Sequence, residues 1–199
     1  MGGLVPNVTS SLDAVNGQLF AGLIPQGLLG ITNQYPEAYN YIIDHLNPSG
    51  QYNKSAFLSA MNMSALVGDA FFQDQDIYKY FINGKADIQA PIVQKVLNIE
   101  GFMGYHGIPK MPLFIYKAIA EEVAPIADTD AIVDKYCAVG ANILYQRNTI
   151  GGHLAEMYNG DARAFEWLSS VLDGTYSSKF SDERCTIQNV TIGTDTSPI

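Results

Sequence analysis

Met111-Pro-Leu-Phe-Ile-Tyr-Lys-Ala-Ile-Ala-Glu-Glu-Val-Ala-Pro125 decides how this chain of 199 residues is read. Pro112-Leu-Phe-Ile-Tyr116 is a continuous apolar run of strand length, the texture of a strand buried on both faces of a parallel sheet. Glu121 and Glu122 lie just beyond it, in a loop from Lys117 to Pro125. Further on, Asp128 to Val139 places Ile132, Val133, Tyr136 and Val139 on one helical face, with acids in the first turn and Gly140 as a stop. Asn142-Ile-Leu-Tyr-Gln146 reads as the next strand. A second loop, Arg147 to His153, follows it and puts His153 directly behind the turn Gly151-Gly152. Asp161 to Leu172 reads as a helix with Phe165, Leu168, Val171 and Leu172 on one face, ended by Gly174. After Tyr176 the tail is polar. This β-loop-α-β-loop-α order predicts parallel strands with right-handed crossovers. Open sheets of that kind place their chemistry in the loops at the C-terminal ends of the strands.

Upstream of about residue 105 the texture is helical. Ala14 to Pro36 carries no charge, yet Pro25 and the glycines at 17, 22, 27 and 30 interrupt it too often for a membrane span. Two short apolar helices joined by turns are expected there. Pro36 opens a helix whose apolar residues at 38, 39, 42, 43 and 46 follow helical spacing. Further helices are predicted over Lys54 to Leu66, Phe71 to Ile82 and Pro91 to Asn98. A helical region over 15–105 and a sheet-bearing region over 106–199 are expected.

The composition narrows the function. The chain is 47% hydrophobic and only 16% charged, against about 25% charged for an average soluble domain. Such a chain folds, and it keeps apolar surface for a partner, a lipid or a further piece of its own fold. The net charge of −9 and pI near 4.6 exclude nucleic-acid binding, which needs a basic footprint. The three histidines are far apart in sequence, so neither a metal nor a cofactor is expected. Four Asn-x-Ser/Thr sequons, at Asn7, Asn53, Asn62 and Asn189, accompany two cysteines, Cys137 and Cys185. Together they favour an oxidising, secretory context, a glycoprotein and one disulfide over a pair of buried thiols. Met1-Gly-Gly-Leu-Val-Pro6 lacks the basic and apolar regions of a signal peptide. The targeting segment of a secreted protein is therefore expected upstream.

A carboxylate at the end of one strand and a histidine at the end of the next is the order of the last two members of a Ser-His-acid triad in α/β-hydrolases. The histidine takes a proton from serine near neutral pH, and the acid fixes its tautomer and stabilises the imidazolium. His45, on an amphipathic helix, and His106, in a glycine-rich loop, read as structural.

Three motifs in order carry a family resemblance: Met111 to Pro125, then Tyr136-Cys-Ala-Val-Gly-Ala-Asn-Ile143, then Gly152-His-Leu-Ala-Glu156. The chain resembles the fungal secretory lipase family of the lipase A type. The resemblance implies an α/β fold, the C-terminal part of an α/β-hydrolase with a mostly helical cap or lid over 15–105. It implies hydrolysis of triacylglycerol esters at a lipid–water interface, with His153 as triad histidine and Glu121 as triad acid. Cys137 and Cys185 match a family disulfide, and Gly2-Gly3 resembles the turn after the strand that follows the nucleophile helix, which implies that residues 1–14 begin the hydrolase core. The family pattern at the acid is Asp-Glu-x-x-Pro, and here glutamate stands in the first place. The nucleophile motif Gly-x-Ser-x-Gly occurs nowhere in the sequence. The expectation is thus a C-terminal portion that lacks its serine, is inactive alone and needs the missing N-terminal half of the fold as its partner. The alternative is a truncated product that binds lipid or a partner without catalysis.

Overall fold

The computed structural model describes residues 4–180 and 184–193; Gly2-Gly3 lies outside them. The chain forms two compact units. Asn7–Phe102 makes one; Met1–Pro6 with Met103–Ile199 makes the other.

The first unit is helical: α1 (Val8–Val15), α2 (Leu23–Thr32), α3 (Pro36–Asp44), α4 (Lys54–Ser59), α5 (Ala65–Phe72), α6 (Lys85–Ile88) and α7 (Pro91–Glu100). Prolines open α3 and α7, where no intrahelical N–H is lost. Pro25 sits in the first turn of α2 for the same reason. Asn7, Asn53 and Ser64 cap α1, α4 and α5 through their side-chain oxygens. An aromatic cluster of Phe57, Phe72, Tyr80 and Phe81 joins Ile24, Leu28 and Ile42 in the core. Gly22 lies against the backbone of Gly68; a Cβ on Gly22 would stand 2.4 Å from the Gly68 carbonyl carbon.

Three expectations change here. The stretch after Val15 turns instead of forming a first apolar helix. Gly17 takes φ +72°, and the Asn16 side chain accepts from Ile77 N–H and donates to Asp76. The helix from Lys54 stops short: a 3-10 turn spans Ala60–Asn62, and the Gln26 amide donates to the carbonyls of Met63 and Ser64. The run from Phe71 is not one helix, because Asp74 adopts φ +60° and Asp76 caps a fresh 3-10 turn, Ile77–Tyr80.

The second unit carries a parallel sheet in the order β1-β2-β3: β1 (Leu113–Ala118), β2 (Ile143–Asn148) and β3 (Cys185–Val190). Between the strands run α8 (Ile126–Ala138), α9 (His153–Leu172) and α10 (Tyr176–Lys179). Alternation sorts the strand side chains by face. Ile115, Ile143 and Tyr145 meet Ile132, Val133 and Tyr136 of α8. On the other face α9 packs on β1, so closely that a Cβ on Gly160 would stand 2.0 Å from the Tyr116 ring. β3 occupies the stretch read as polar tail. Three of its six residues are exposed, so it lacks the apolar run that marks β1. The disulfide Cys137–Cys185 ties its first residue to the end of α8, with Cα atoms 5.7 Å apart.

Helix α9 starts eight residues earlier than its periodicity suggests. The face expected on Phe165, Leu168, Val171 and Leu172 points outward: all four are exposed, as are Leu154, Met157 and Tyr158. The residues turned inward are mostly polar or small: Glu156, Asn159, Gly160 and Ser170.

Candidate functional site

β1 and β2 pair in register through Ala118 and Asn148, so the chain leaves both strands at the same level of the sheet. After β1, Ala118 to Pro125 makes a tight loop. Glu121 Oε1 accepts from the N–H of Val123 at 2.9 Å and of Ala124 at 3.3 Å. The carboxylate is thereby folded back over its own loop, with 4% of its side chain exposed. After β2 comes Thr149-Ile-Gly-Gly152, then His153 as the first residue of α9.

The two glycines serve different ends. Gly151 takes φ +82°, a left-handed conformation that would strain any other residue. Gly152 is extended, and its need is space: a Cβ there would stand 2.4 Å from Glu122 Oε2 and 3.3 Å from the carbonyl oxygen of Ala120.

The loops bring His153 and Glu121 together. His153 Nδ1 donates to Glu121 Oε1 at 2.8 Å. His45 and His106 take no part in this pair. The hydrogen bond with Glu121 raises the His153 pKa above its ordinary value; burial opposes this, and the charges of Glu121 and Glu122 add to it. For Glu121, burial pushes upward, but the bonds from His153, Val123 and Ala124 outweigh it and hold the carboxyl below its usual range. A carboxylate bound to Nδ1–H leaves Nε2 as the basic nitrogen, the tautomer that a general base needs.

Three further groups support the loops, none of them singled out from the sequence. Lys117, 2% exposed, donates from Nζ to the Leu4 carbonyl at 2.8 Å and to Thr129 Oγ1 at 3.0 Å. Burial pushes its ammonium down, and Glu121, Asp128 and Asp130 partly offset this. Asn148, fully buried at the end of β2, donates to Glu156 Oε2 and to the Ile192 carbonyl, both at 2.6 Å. Its Oδ1 accepts from the N–H of Ile150 and Ile192, fixing the loop that leads to His153. Glu156 in turn pairs with Arg163 at 2.7 Å. A buried carboxylate is stable only when so matched, and an acid one turn after a histidine gives no sign of that in a sequence. Among the described residues, no group of three or more His, Cys, Asp or Glu is arranged to hold a metal ion. No described helix is long and apolar enough to cross a membrane.

Comparison with known proteins agrees with this architecture. The fold matches crystal structures of Candida antarctica lipase A, including its closed state, with a TM-score of 0.80 at 21% identity, over 99% of this chain and 46% of that one. It is an α/β-hydrolase fold. The trichothecene C-3 esterase of Fusarium sporotrichioides is 45% identical over 98% of this chain and 43% of its own length. A probable trichothecene esterase of Stachybotrys chartarum is 42% identical over 96% and 39%. Lipase A of Arthroderma benhamiae is 32% identical over 87% and 36%. The chain therefore spans about two-fifths of the length of these curated relatives. The pattern of the secretory lipase family matches residues 1–179, and the chain belongs to that family.

Proposed function

We propose that this chain provides the histidine and the acid of a Ser-His-acid carboxylic-ester hydrolase that is secreted. The observation that carries the reading is the 2.8 Å bond between His153 Nδ1 and Glu121 Oε1, set at the matching ends of two adjacent parallel strands. His153 takes the proton of a serine hydroxyl as that oxygen attacks the ester carbonyl. It then delivers the proton to the leaving alcohol. A water, deprotonated the same way, releases the acid from the acyl-serine. Glu121 keeps Nδ1 protonated and stabilises the imidazolium at each step. The serine and the oxyanion donors come from outside these residues. We assign the helical unit to the acyl-binding cap of the family.

The family points to triacylglycerols as substrate. A second reading rests on identity: the relatives at 45% and 42% are named trichothecene esterases, whereas the lipase A is 32% identical. That favours an ester of a trichothecene alcohol.

The test compares the chain with the complete reading frame that contains it. Substrates are p-nitrophenyl butyrate, trioleoylglycerol and a trichothecene acetylated at C-3. The chain alone is expected to match its His153→Ala control. The complete protein is expected to hydrolyse at least one of these esters and to lose about 10⁴-fold or more in kcat on His153→Ala. Activity of the chain alone that disappears in the control would place a nucleophile within these residues and overturn the reading. The ratio of trichothecene ester to triacylglycerol turnover decides the substrate.

A further inference from the structure

The first turn of a helix has N–H groups without intrahelical partners, normally met by a side chain at the N-cap. In α9 the N-cap is Gly152, which has no side chain to offer. The partner comes from the other loop: the N–H of His153 donates to Glu122 Oε2 at 2.8 Å. Adjacent carboxylates thus hold one residue at two points, Glu121 by the ring and Glu122 by the backbone. The fit is close, since the Glu122 oxygen fills the space that a Cβ on residue 152 would need.

We infer that Glu122 is a positioning residue for His153, fixing where the histidine backbone stands so that its ring reaches Glu121. This rests on the assignment of His153 and Glu121 proposed above and deepens it. The reason is geometric. The imidazole is carried on a short side chain at the very start of a helix, where the backbone frays most easily. A shift of about 1 Å at this point breaks the 2.8 Å contact and moves the basic nitrogen, and displacements of that size cost on the order of 100-fold in rate. A carboxylate also suits the positive end of the helix dipole. The neighbouring Glu-Glu and Gly-His pairs then form one device: the first acid sets the tautomer, the second sets the place, and the glycine leaves room for the second.

The test uses the chain itself, because it reads the histidine and needs no turnover. The chain has three histidines, so ¹⁵N-labelled rings can be followed separately through a pH titration in wild type, Glu122→Ala, Glu122→Gln, Gly152→Ala and Glu121→Ala. Wild type is expected to show the Nδ1–H tautomer of His153 with a raised midpoint. Glu122→Ala is expected to lose the tautomer preference while the dispersed amide spectrum of the folded chain remains. Glu122→Gln keeps an acceptor oxygen, so it restores the tautomer; lacking the charge, it does not restore the full midpoint. Gly152→Ala forces the carboxylate aside and should behave like Glu122→Ala, and the double variant should be no worse than either single one. If wild type itself shows no Nδ1–H preference, the Glu121–His153 assignment fails and takes this inference with it. If wild type and Glu121→Ala behave as expected but Glu122→Ala leaves the His153 tautomer intact, the positioning role alone is overturned.

Discussion

Replacing Cys137 and Cys185 together with alanine opens a link closed across a sequence separation of 48 residues. The chain-entropy relation assigns such a loop about 4 kcal/mol. For a unit of about 100 residues melting by itself each kcal/mol moves the melting temperature by ~4–8 °C, so a fall of ~16–32 °C is expected. The loss should be local. Both cysteines pack against the core formed by Ile115, Ile132, Val133, Ile143 and Tyr145, and neither belongs to Asn7–Phe102. The disulfide also anchors the first residue of β3, so its removal frees that strand to fray from β2. The only tryptophan, Trp167, belongs to the same unit and lies 5.9 Å from the Tyr176 ring. Its fluorescence therefore follows the sheet unit, while far-UV circular dichroism follows both. In the double variant the fluorescence midpoint should drop by the stated amount, and the dichroism should resolve into two steps with the helical one unmoved. A fluorescence shift under ~3 °C would refute the loop-entropy argument here. Two steps that fall together would refute the assignment of the effect to one unit.

Other expectations are narrower. Arg163→Met leaves the carboxylate of Glu156 buried without its cation and should cost about 3–5 kcal/mol in urea unfolding; pairing it with Glu156→Gln should recover much of that. Gly22→Ala drives a Cβ into the Gly68 backbone and should destabilise the helical unit by about 1–3 kcal/mol. Gly27→Ala lies within α2 and meets nothing within 4 Å, so it should stabilise by about 0.5–1 kcal/mol on the same melting curves. The Glu121–His153 pair gives stability a pH dependence with two edges. Glu121 is held below its ordinary 4.5, so its contribution is present above that value and fades as pH falls through its folded pKa. His153 is raised above 6.5, so its contribution is complete below that value and is lost as pH rises through its folded pKa. The unfolding free-energy difference between wild type and Glu121→Gln should therefore be greatest at about pH 5.5 and smaller at about pH 8.5. A difference that grows toward alkaline pH would contradict the pairing.

Strand β1 was legible because burial on both faces leaves an apolar run, β2 because it opens on Ile143-Leu-Tyr145, and α8 because Ile132, Val133 and Tyr136 fall on one buried face, although Val139, read on that face, lies exposed past the helix end. The positions of Glu121 and His153 followed from those elements, since each is a few residues past a strand end. What stayed hidden has local physical causes. β3 buries none of its six residues fully and exposes Ile187, so its pattern is that of a polar tail. The breaks at Met63 and Asp74 depend on the distant side chain of Gln26 and on a left-handed backbone at a residue other than glycine. The role of Glu122 is invisible in sequence because an acidic neighbour in a loop usually just faces solvent. Only the missing Cβ of Gly152 and the N–H of His153 give it a task.

The outward row on α9 has a consequence for the molecule in solution. Leu154, Tyr158, Phe165, Leu168 and Leu172 stand exposed along one side of a 20-residue helix, on a chain whose net charge of −9 drives copies apart. Added salt then acts twice in the same direction: it screens the repulsion, and sulfate or phosphate strengthens the tendency of the row to leave water. Most charged proteins first gain solubility from a little salt. This one should remain dispersed best in dilute buffer, where its charge is least screened.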